Sequence, residues 1–339
     1  MRKGLLVLLG LLLAVGLRGQ QYNFIHYSIE EGLAQSQIRA ISQDEKGYLW
    51  IGTLGGLSKF DGIRFTNFST NDGLLDNQIN SIRTDSKGNL WFGTNGGVSM
   101  YNGKTFKNFV FKDELKENSV LSIREDEMGR MWFATDGGGL AYLEKGELKY
   151  FSFNTKADHN YIRFMAFHEN GRLFLATRGG VLSMNKEFEA SVEIDKINAT
   201  QVCFVENSVW CSTFGNGVIQ KTQDTTINLT RDDGLVSNHI RGFVKRKDGS
   251  MWFVSKHGVS LYSGGDFTNF KTKDGLTDQN IKCVIEDDEG NLFFGTDGGG
   301  MVKFSNDDFV SYTQDEVEGT NVVMTCLLYT SPSPRDRSL

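Results

Sequence analysis

The hydrophobic and polar positions of the chain follow one pattern that returns at a nearly fixed period. In each copy an apolar run with a large aromatic residue stands between two turns, most of them rich in glycine, as in LWFGT of residues 90–94. The aromatic residues that mark the copies are Trp50, Trp91, Trp132, Phe174, Trp210, Trp252 and Phe293, at steps of 41, 41, 42, 36, 42 and 41 residues. Seven units at this period are typical of a β-propeller, in which each unit is a four-stranded blade.

Each unit contains four short segments that predict strands. In the second unit, residues 77–85 mix isoleucines with polar residues, and residues 89–94 are nearly all apolar. Residues 98–101 follow a glycine turn, and residues 104–109 follow Asn-Gly, which is a strong hairpin signal. A continuous apolar run is typical of a strand that is covered on both faces. The sequence therefore predicts an all-β fold, a seven-bladed β-propeller with four-stranded antiparallel blades.

Two features of the ring need separate predictions. The fifth unit is short, which leaves open whether its blade has a complete outer edge. A closed ring also needs a clasp that pairs its two ends. Tyr22–Ser28 resembles an extra outer strand, and we expect it to pair with the seventh unit. Phe309–Thr313 would then begin a further propeller.

The repeated aromatic residue and the repeated turns have competing interpretations. A tryptophan could be a platform for sugar stacking, but its place within an apolar strand in nearly every unit favours a buried core between blades. The DGGG runs at Asp136 and Asp297 lack the Lys-Ser/Thr of a phosphate loop and are interpreted as turns. Turns such as DSKG lack the alternating ligands of a calcium loop, so their aspartates are expected to form Asx turns.

The two ends of the chain differ from the repeats. Residues 1–19 combine Arg2 and Lys3 with an apolar run, which predicts a secretory signal peptide and a periplasmic location. An uncleaved anchor is the alternative. The propeller is assigned to residues 20–313, and residues 314–325 resemble the start of an eighth repeat. Residues 326–339 resemble one frame of a sequencing adapter, which predicts a truncated reading frame; a natural Pro/Ser linker is the alternative.

Composition and charge exclude some classes of function. The chain has 339 residues, a net charge of −6 and no long basic run, so a nucleic-acid partner is not expected. Four cysteines, Cys203, Cys211, Cys283 and Cys326, form no metal-ligand motif, so neither a metal site nor a cofactor is predicted. Cys203 and Cys211 lie on two arms of one predicted hairpin, where a disulfide is conceivable although opposed strand positions give poor geometry.

Two series of varied positions are candidates for ligand binding at the face that carries the loops between blades. One series follows the Thr or Ser at the end of the second strand: Leu54, Asn95, Asp136, Arg178, Phe214, Lys256 and Asp297. The other follows the first apolar residue of the inner strand: Arg39, Asn80, Leu121, Arg163, Gln201, Arg241 and Lys282. Variation in the first series could equally reflect tolerance at a solvated turn.

The second series places four cations around one channel of an acidic protein. Cationic groups in a cleft attract anions, and arginine binds carboxylate or sulfate through two parallel hydrogen bonds. We therefore hypothesise an anionic oligosaccharide ligand; a solvated channel without a ligand is the alternative. His239 lies near the channel mouth but has no catalytic partner at an interpretable spacing. His239, His159 and His257 are interpreted as surface loop residues, and no catalytic residue is predicted.

The units Asp72–Phe109 and Asp274–Phe304 resemble the two-component regulator propeller repeat, and the resemblance covers residues 22–325. It implies a periplasmic sensor region of a hybrid histidine kinase of the Bacteroidetes type. In that family a second propeller, a small β-sandwich, a membrane span and the kinase follow in the same chain, the full-length protein is held in the inner membrane, and many members sense oligosaccharides. The resemblance thus implies an oligosaccharide ligand, same-chain partners and a possible homodimer.

Three functions remain open at the level of sequence. The first is a ligand-sensing propeller that carries no chemistry of its own, in keeping with varied loops on a regular scaffold. The second is a free-standing secreted interaction propeller. The third is a propeller enzyme such as a sialidase or a lyase, because the DSKGNLW turn resembles the aspartate box of sialidases. No arginine triad with a Tyr–Glu pair can be assigned in the sequence.

Overall fold

The computed structural model describes residues 24–111 and 119–305, in which 28 strands form seven four-stranded antiparallel sheets. The first three blades contain β2 (Ile38–Gln43), β3 (Leu49–Thr53), β4 (Leu57–Phe60) and β5 (Phe65–Phe68); β6 (Ile79–Thr84), β7 (Leu90–Thr94), β8 (Gly97–Tyr101) and β9 (Phe106–Phe109); and β10 (Val120–Glu125), β11 (Met131–Thr135), β12 (Leu140–Glu144) and β13 (Glu147–Phe151).

The fourth to sixth blades contain β14 (Ile162–Phe167), β15 (Leu173–Thr177), β16 (Gly180–Met184) and β17 (Ala190–Asp195); β18 (Ala199–Val205), β19 (Ser208–Thr213), β20 (Val218–Lys221) and β21 (Thr226–Leu229); and β22 (Ile240–Lys245), β23 (Met251–Ser255), β24 (Gly258–Ser263) and β25 (Asp266–Phe270). The seventh contains β26 (Ile281–Glu286), β27 (Leu292–Thr296), β28 (Met301–Phe304) and β1 (Phe24–Tyr27). The predicted all-β, seven-bladed β-propeller is confirmed.

The short fifth unit keeps its outer strand, β21, which pairs with β20. The fifth unit is short because the loop that precedes its blade is short. Only residues 196–198 connect β17 to β18, whereas 3₁₀ turns occupy the loops before blades 2, 4, 6 and 7 at Thr70–Asp72, Ala157–Asn160, Arg231–Asp233 and Thr272–Asp274. A loop between blades can shorten without loss of a strand because the blade's own hydrogen bonds do not depend on it.

The clasp predicted for Tyr22–Ser28 is confirmed for its described part. β1 is antiparallel to β28, with Phe24 opposite Phe304 and Tyr27 opposite Met301. The side chain of Gln43 closes the inner side of the ring, because its Oε1 accepts a hydrogen bond of 2.8 Å from the backbone N–H of Asp288. The predictions for Phe309–Thr313 and for residues 1–19, 314–325 and 326–339 lie outside the described residues.

The core lies between neighbouring blades, and the repeated aromatic residue is its centre. The seven aromatic residues are no more than 6% exposed. Trp91, for example, stacks on Phe109 of its own blade at 5.5 Å between ring centroids and contacts Phe133 of the next blade at 5.8 Å. The interpretation as interblade core is confirmed, because a strand covered by blades on both sides buries every residue.

In blades 1 to 3 an aspartate of the turn before the second strand accepts a hydrogen bond from the tryptophan indole, which extends the predicted Asx turns. Asp85 Oδ1 accepts hydrogen bonds from the backbone N–H groups of Lys87 and Asn89, at 3.0 and 2.8 Å. Its Oδ2 accepts one of 2.8 Å from the indole of Trp91. Burial raises the pKa of the Asp85 carboxyl, but these hydrogen bonds outweigh burial and hold the pKa below its ordinary value.

We expect Asp85→Asn to lower the free energy of unfolding at pH 7 by about 1–3 kcal/mol, because one of its two acceptor oxygens is lost. The pKa in the folded chain is below the unfolded value, so the stabilisation is complete above about pH 5 and is lost as the pH falls through the folded pKa. Urea unfolding between pH 3 and pH 7 measures both effects. Asp266→Asn, at an exposed position, is the control. Equal acid sensitivity of wild type and Asp85→Asn would contradict the assignment.

The conceivable disulfide between Cys203 and Cys211 does not form. Cys203 lies opposite Trp210, and Cys211 lies opposite Val202. The two thiols are one register position apart, so they point to opposite faces of the blade. Both are free, as is Cys283, and burial raises the pKa of the Cys203 thiol to about 12.

Candidate functional site

Every inner strand has a β-bulge directly after its first residue. In β2, Ile38 lies opposite Thr53 while Ala40 lies opposite Gly52, so Arg39 is an extra residue. The same shift occurs in all seven inner strands. The bulge residues line the central channel and form what we call the inner ring: Arg39, Asn80, Leu121, Arg163, Thr200, Arg241 and Lys282.

In blade 5 the bulge lies one residue before the predicted Gln201, which also lines the channel. Ala199 lies opposite Thr213 and Gln201 lies opposite Ser212, so the bulge residue of blade 5 is Thr200 and not Gln201. Gln201 instead bridges two blades: its amide donates 2.8 Å to the carbonyl of Phe243 and accepts 3.0 Å from the N–H of the same residue. Gln201 and not Thr200 was singled out from the sequence because Ala199 and Thr200 do not mark the strand start clearly.

A second ring surrounds the first at the same end of the channel. It consists of the varied turn residues Leu54, Asn95, Asp136, Arg178, Phe214, Lys256 and Asp297, which we call the outer ring. The backbone N–H of Leu54 donates to the carbonyl of Gln37, one residue before Ile38, and that of Asp297 donates to Asn280 in the same way. The two predicted series therefore meet at one channel mouth.

The turns that carry the outer ring are braced by the buried hydroxyl that precedes each varied residue. Thr53 Oγ1 donates 2.7 Å to the carbonyl of Gly56 across the turn. Equivalent bonds come from the other six Thr or Ser residues at this position: Thr94, Thr135, Thr177, Thr213, Ser255 and Thr296. The constant residue holds the turn, so the next side chain can vary without loss of the backbone path.

The loops between blades are fixed by a serine and an asparagine that the sequence reading did not single out. Ser58 Oγ accepts 3.0 Å from the N–H of Ala34 and donates 2.7 Å to Asn67 Oδ1. The Asn67 amide donates 2.9 Å to the carbonyl of Gly32. The set recurs with Ser99 and Asn108 and with Ser260 and Asn269. Each such loop is therefore attached to the third and fourth strands of the blade that follows it.

Several ring residues contact one another. Asn80 donates 2.8 Å to Asn95 Oδ1, and Lys282 Nζ lies 2.9 Å from Asp297 Oδ1. Arg163 donates to Asn198 Oδ1, and its guanidinium carbon lies 6.0 Å from the ring centroid of Phe214. In the outer ring, Arg178, Asp136 and Lys256 are exposed, and Arg178 lies 3.6 Å from Asp158.

The two rings together contain six basic side chains and two carboxylates. Burial lowers the pKa of Arg241, and the charge of Arg39 lowers it further, while Asp297 opposes both. Within the described part of the chain, Arg241 Nη1 is buried and has no hydrogen-bond partner. Burial likewise lowers the pKa of Arg163. An anion at the mouth would offset the effect of burial on these two guanidinium groups.

The channel has a volume of about 920 Å³, which is ample for an oligosaccharide fragment. Side chains that the sequence reading missed lie deeper in it, notably Arg83 and Arg124, the fifth residues of β6 and β10. The signal that could have identified them is an arginine within an inner strand whose preceding residues are apolar or small and polar. No group of three or more His, Cys, Asp or Glu side chains in residues 24–111 and 119–305 could hold a metal ion.

The three histidines are placed differently from one another. His257 is exposed and its Nδ1 lies 3.1 Å from Ser237 Oγ, and His239 contacts the ring of Phe214 edge-on at 5.2 Å. His159 corrects its prediction as a surface residue, because it is fully buried and its Nδ1 bonds Thr155 Oγ1 at 2.7 Å. Its ring fills the space beside Gly179, where a Cβ would come within 2.7 Å.

The fold and the two rings together form a propeller, a regular scaffold that presents varied side chains around one channel mouth. Four segments match the model of the family described as two component regulator propeller: residues 32–55, 73–96, 114–137 and 275–298. These four segments are thus similar to the two component regulator propeller repeat. None of its described helices has the length and apolar character needed to cross a membrane.

Comparison with individual proteins gives one sequence relative and several fold relatives. Histidine kinase P4 of Formosa agariphila is 46% identical over 61 residues, which are 17% of this chain and 4% of that protein. The extracellular domain of a hybrid two-component system of B. thetaiotaomicron aligns with a TM-score of 0.73 at 22% identity, over 84% of this chain and 42% of that one. The chain thus spans less than half of either relative.

The same fold also occurs in an enzyme. Virginiamycin B lyase of Staphylococcus aureus aligns with a TM-score of 0.70 at 12% identity, over 84% of this chain and 99% of that one. At such identity the likeness concerns the fold alone, since one fold can carry unrelated functions.

Proposed function

We propose that this chain is the periplasmic ligand-sensing propeller of a hybrid two-component histidine kinase. It binds an oligosaccharide, in particular an anionic one, at the channel mouth. Binding is relayed across the inner membrane to a kinase in the same protein and controls genes for glycan use. The four segments that match the propeller repeat and the histidine kinase among its relatives support this function.

The observation that carries the ligand proposal is the guanidinium of Arg241 at the mouth, whose Nη1 has no hydrogen-bond partner among the described residues and which lies near the positive charge of Arg39. Arg163 adds a further half-buried guanidinium to the same ring. A carboxylate or sulfate can accept two parallel hydrogen bonds from one guanidinium. The hydroxyl groups of a sugar can bond the neighbouring Asn80 and Asn95 amides.

The outer ring sets which sugar is accepted in this proposal. Its side chains are mostly exposed, differ in charge and size, and stand on turns that the buried hydroxyls brace. Phe214, 43% exposed, offers an apolar face beside Arg163. Aromatic rings commonly supply apolar contact area in binding sites.

We expect Arg163→Ala/Arg241→Ala to weaken binding of an acidic oligosaccharide by about 100-fold, because each lost charge-assisted hydrogen bond accounts for about tenfold. Isothermal titration with a panel of neutral, uronic-acid and sulfated oligosaccharides measures this. Arg64→Ala, which removes an exposed charge in the loop between β4 and β5, is the matched control. Circular dichroism verifies that both variants are folded. Full affinity in the double variant would contradict the proposal that the ligand binds at the channel mouth.

The same titrations separate the alternatives. Binding without turnover is expected for a sensor, and glycan cleavage by the purified chain would favour an enzyme instead. The relay is tested in the complete protein, where the ligand should change autophosphorylation and Arg163→Ala/Arg241→Ala should abolish that response. A second propeller, a membrane span and a homodimer belong to the same proposal for the complete protein.

A further inference from the structure

The strongest unexplained feature of the channel is a pair of arginines below the mouth. Arg83 and Arg124 lie opposite Trp91 and Trp132, so they occupy the same register position in adjacent blades 2 and 3. The other five blades carry small or apolar residues at this level: Ser42, Ala166, Cys203, Val244 and Ile285. The pair is therefore a local feature of one side of the channel and not part of the repeat.

The position of the pair complements the inner ring. Blades 2 and 3 have the uncharged Asn80 and Leu121 at the mouth, where four other blades have a cation. Arg83 follows Asn80 by three residues, which is about 10 Å along a strand. The cations thus continue from the mouth into the channel. The carboxylates of the channel lining lie at or beyond the ends of the inner strands of blades 1 and 7, where they disfavour an anion: Asp44, Glu45, Glu286 and Asp288.

Neither arginine has a carboxylate partner among the described residues. The Nη1 of Arg124 donates 2.7 Å to the carbonyl of Ile123, and its guanidinium carbon lies 4.5 Å from the ring centroid of Phe164. Burial, and then the charge of Arg83, lower the pKa of Arg124 to about 9. A guanidinium has five N–H donors, so most of those in the pair remain free to bind a ligand.

The stacking contact makes Arg124 a fixed donor. An aromatic face below a guanidinium plane holds its orientation and leaves the edge, where the N–H groups lie, available. Arg83 is exposed and lines the same channel, so it can approach an anion bound to Arg124 from the neighbouring blade. Two such donors suit a group with several oxygens.

We infer that Arg83 and Arg124 form an oxyanion site inside the channel, which takes a carboxylate or sulfate group. The inference rests on the proposed function in one respect, that the carboxylate or sulfate group belongs to a sugar. A ligand that fills the site extends from the mouth to the level of the pair. Affinity then depends on an acidic group at the end of the ligand that enters the channel first.

Crystals of the unmodified chain soaked in sodium selenate test the site directly. We expect an anomalous selenium peak within hydrogen-bond distance of both guanidinium groups. A channel without a peak at the pair overturns the inference. This measurement needs no substitution, so it does not depend on the folding of a variant.

Titration with D-galacturonate, compared with neutral D-galactose, tests the acidic group. We expect R83Q/R124Q to bind galacturonate about 100-fold more weakly, which is about tenfold for each charge-assisted bond, and R64Q to bind it normally. R83K/R124K keeps both charges but loses the planar donor edge, and an intermediate loss of about tenfold is expected. Unchanged affinity in R83Q/R124Q overturns the inference.

The outcomes also separate the site from the proposed function. A selenate peak at the pair, without binding of any oligosaccharide, supports the oxyanion site and overturns the sugar sensor. The opposite outcome combines two results. Oligosaccharide binding requires Arg163 and Arg241 but is unchanged in R83Q/R124Q, and the soaked crystals show no selenate peak at the pair. These results support the sugar sensor and overturn the oxyanion site.

Discussion

Trp91→Ala is expected to lower the free energy of unfolding by about 3–5 kcal/mol, the usual range for removal of a large buried aromatic side chain. Trp91 is 5% exposed, and it contacts Phe109 of its own blade and Phe133 of the next. The substitution therefore opens a cavity between two blades and leaves Asp85 without its indole donor. Urea unfolding followed by circular dichroism measures the loss.

Trp91→Phe is the matched control, because Phe174 and Phe293 occupy the same position in blades 4 and 7. It keeps most of the buried ring and loses the hydrogen bond to Asp85, so we expect a cost of about 1–2 kcal/mol. A loss below 1 kcal/mol for Trp91→Ala would show that the tryptophan is not a core residue.

The second large effect is expected at the clasp. Phe24→Ala/Tyr27→Ala should cost about 3–6 kcal/mol, below the sum for two fully buried aromatic residues because both side chains are half-buried. Phe24 contacts Phe270 of blade 6 and Phe304 of blade 7, at 6.3 and 5.2 Å between ring centroids. Tyr27 contacts Phe60 of blade 1 at 5.0 Å. One strand thus joins three blades.

The control for the clasp is Ile25→Ala/His26→Ala in the same strand, whose side chains are exposed. It keeps the backbone pairing with β28 and is expected to cost less than about 1 kcal/mol, as surface substitutions do. Hydrogen exchange of the β28 amides gives an independent measurement, because loss of the clasp exposes this strand edge. Equal stability of the two double variants would mean that other contacts close the ring.

The candidate site was predictable in outline and not in detail. The variation after a constant Thr or Ser located the outer ring, and six of the seven inner-ring residues were identified from the residue that follows the first apolar position. Thr200 was missed in favour of Gln201, because Ala199 marks the strand start less clearly than the isoleucine or valine that begins the inner strand in the other blades. Arg83 and Arg124 were missed because their shared level depends on the alignment of neighbouring blades.

The sequence alone determined the number of blades, the four strands of each blade, the clasp strand and the buried aromatic residue. These follow from a period and from alternation of polar and apolar residues, which are local properties of a chain. Only the tertiary structure decided that Cys203 and Cys211 face opposite ways, that His159 is buried and that six blades each supply one cation to the channel. Such facts depend on cross-strand register and on the packing of residues that are far apart in sequence.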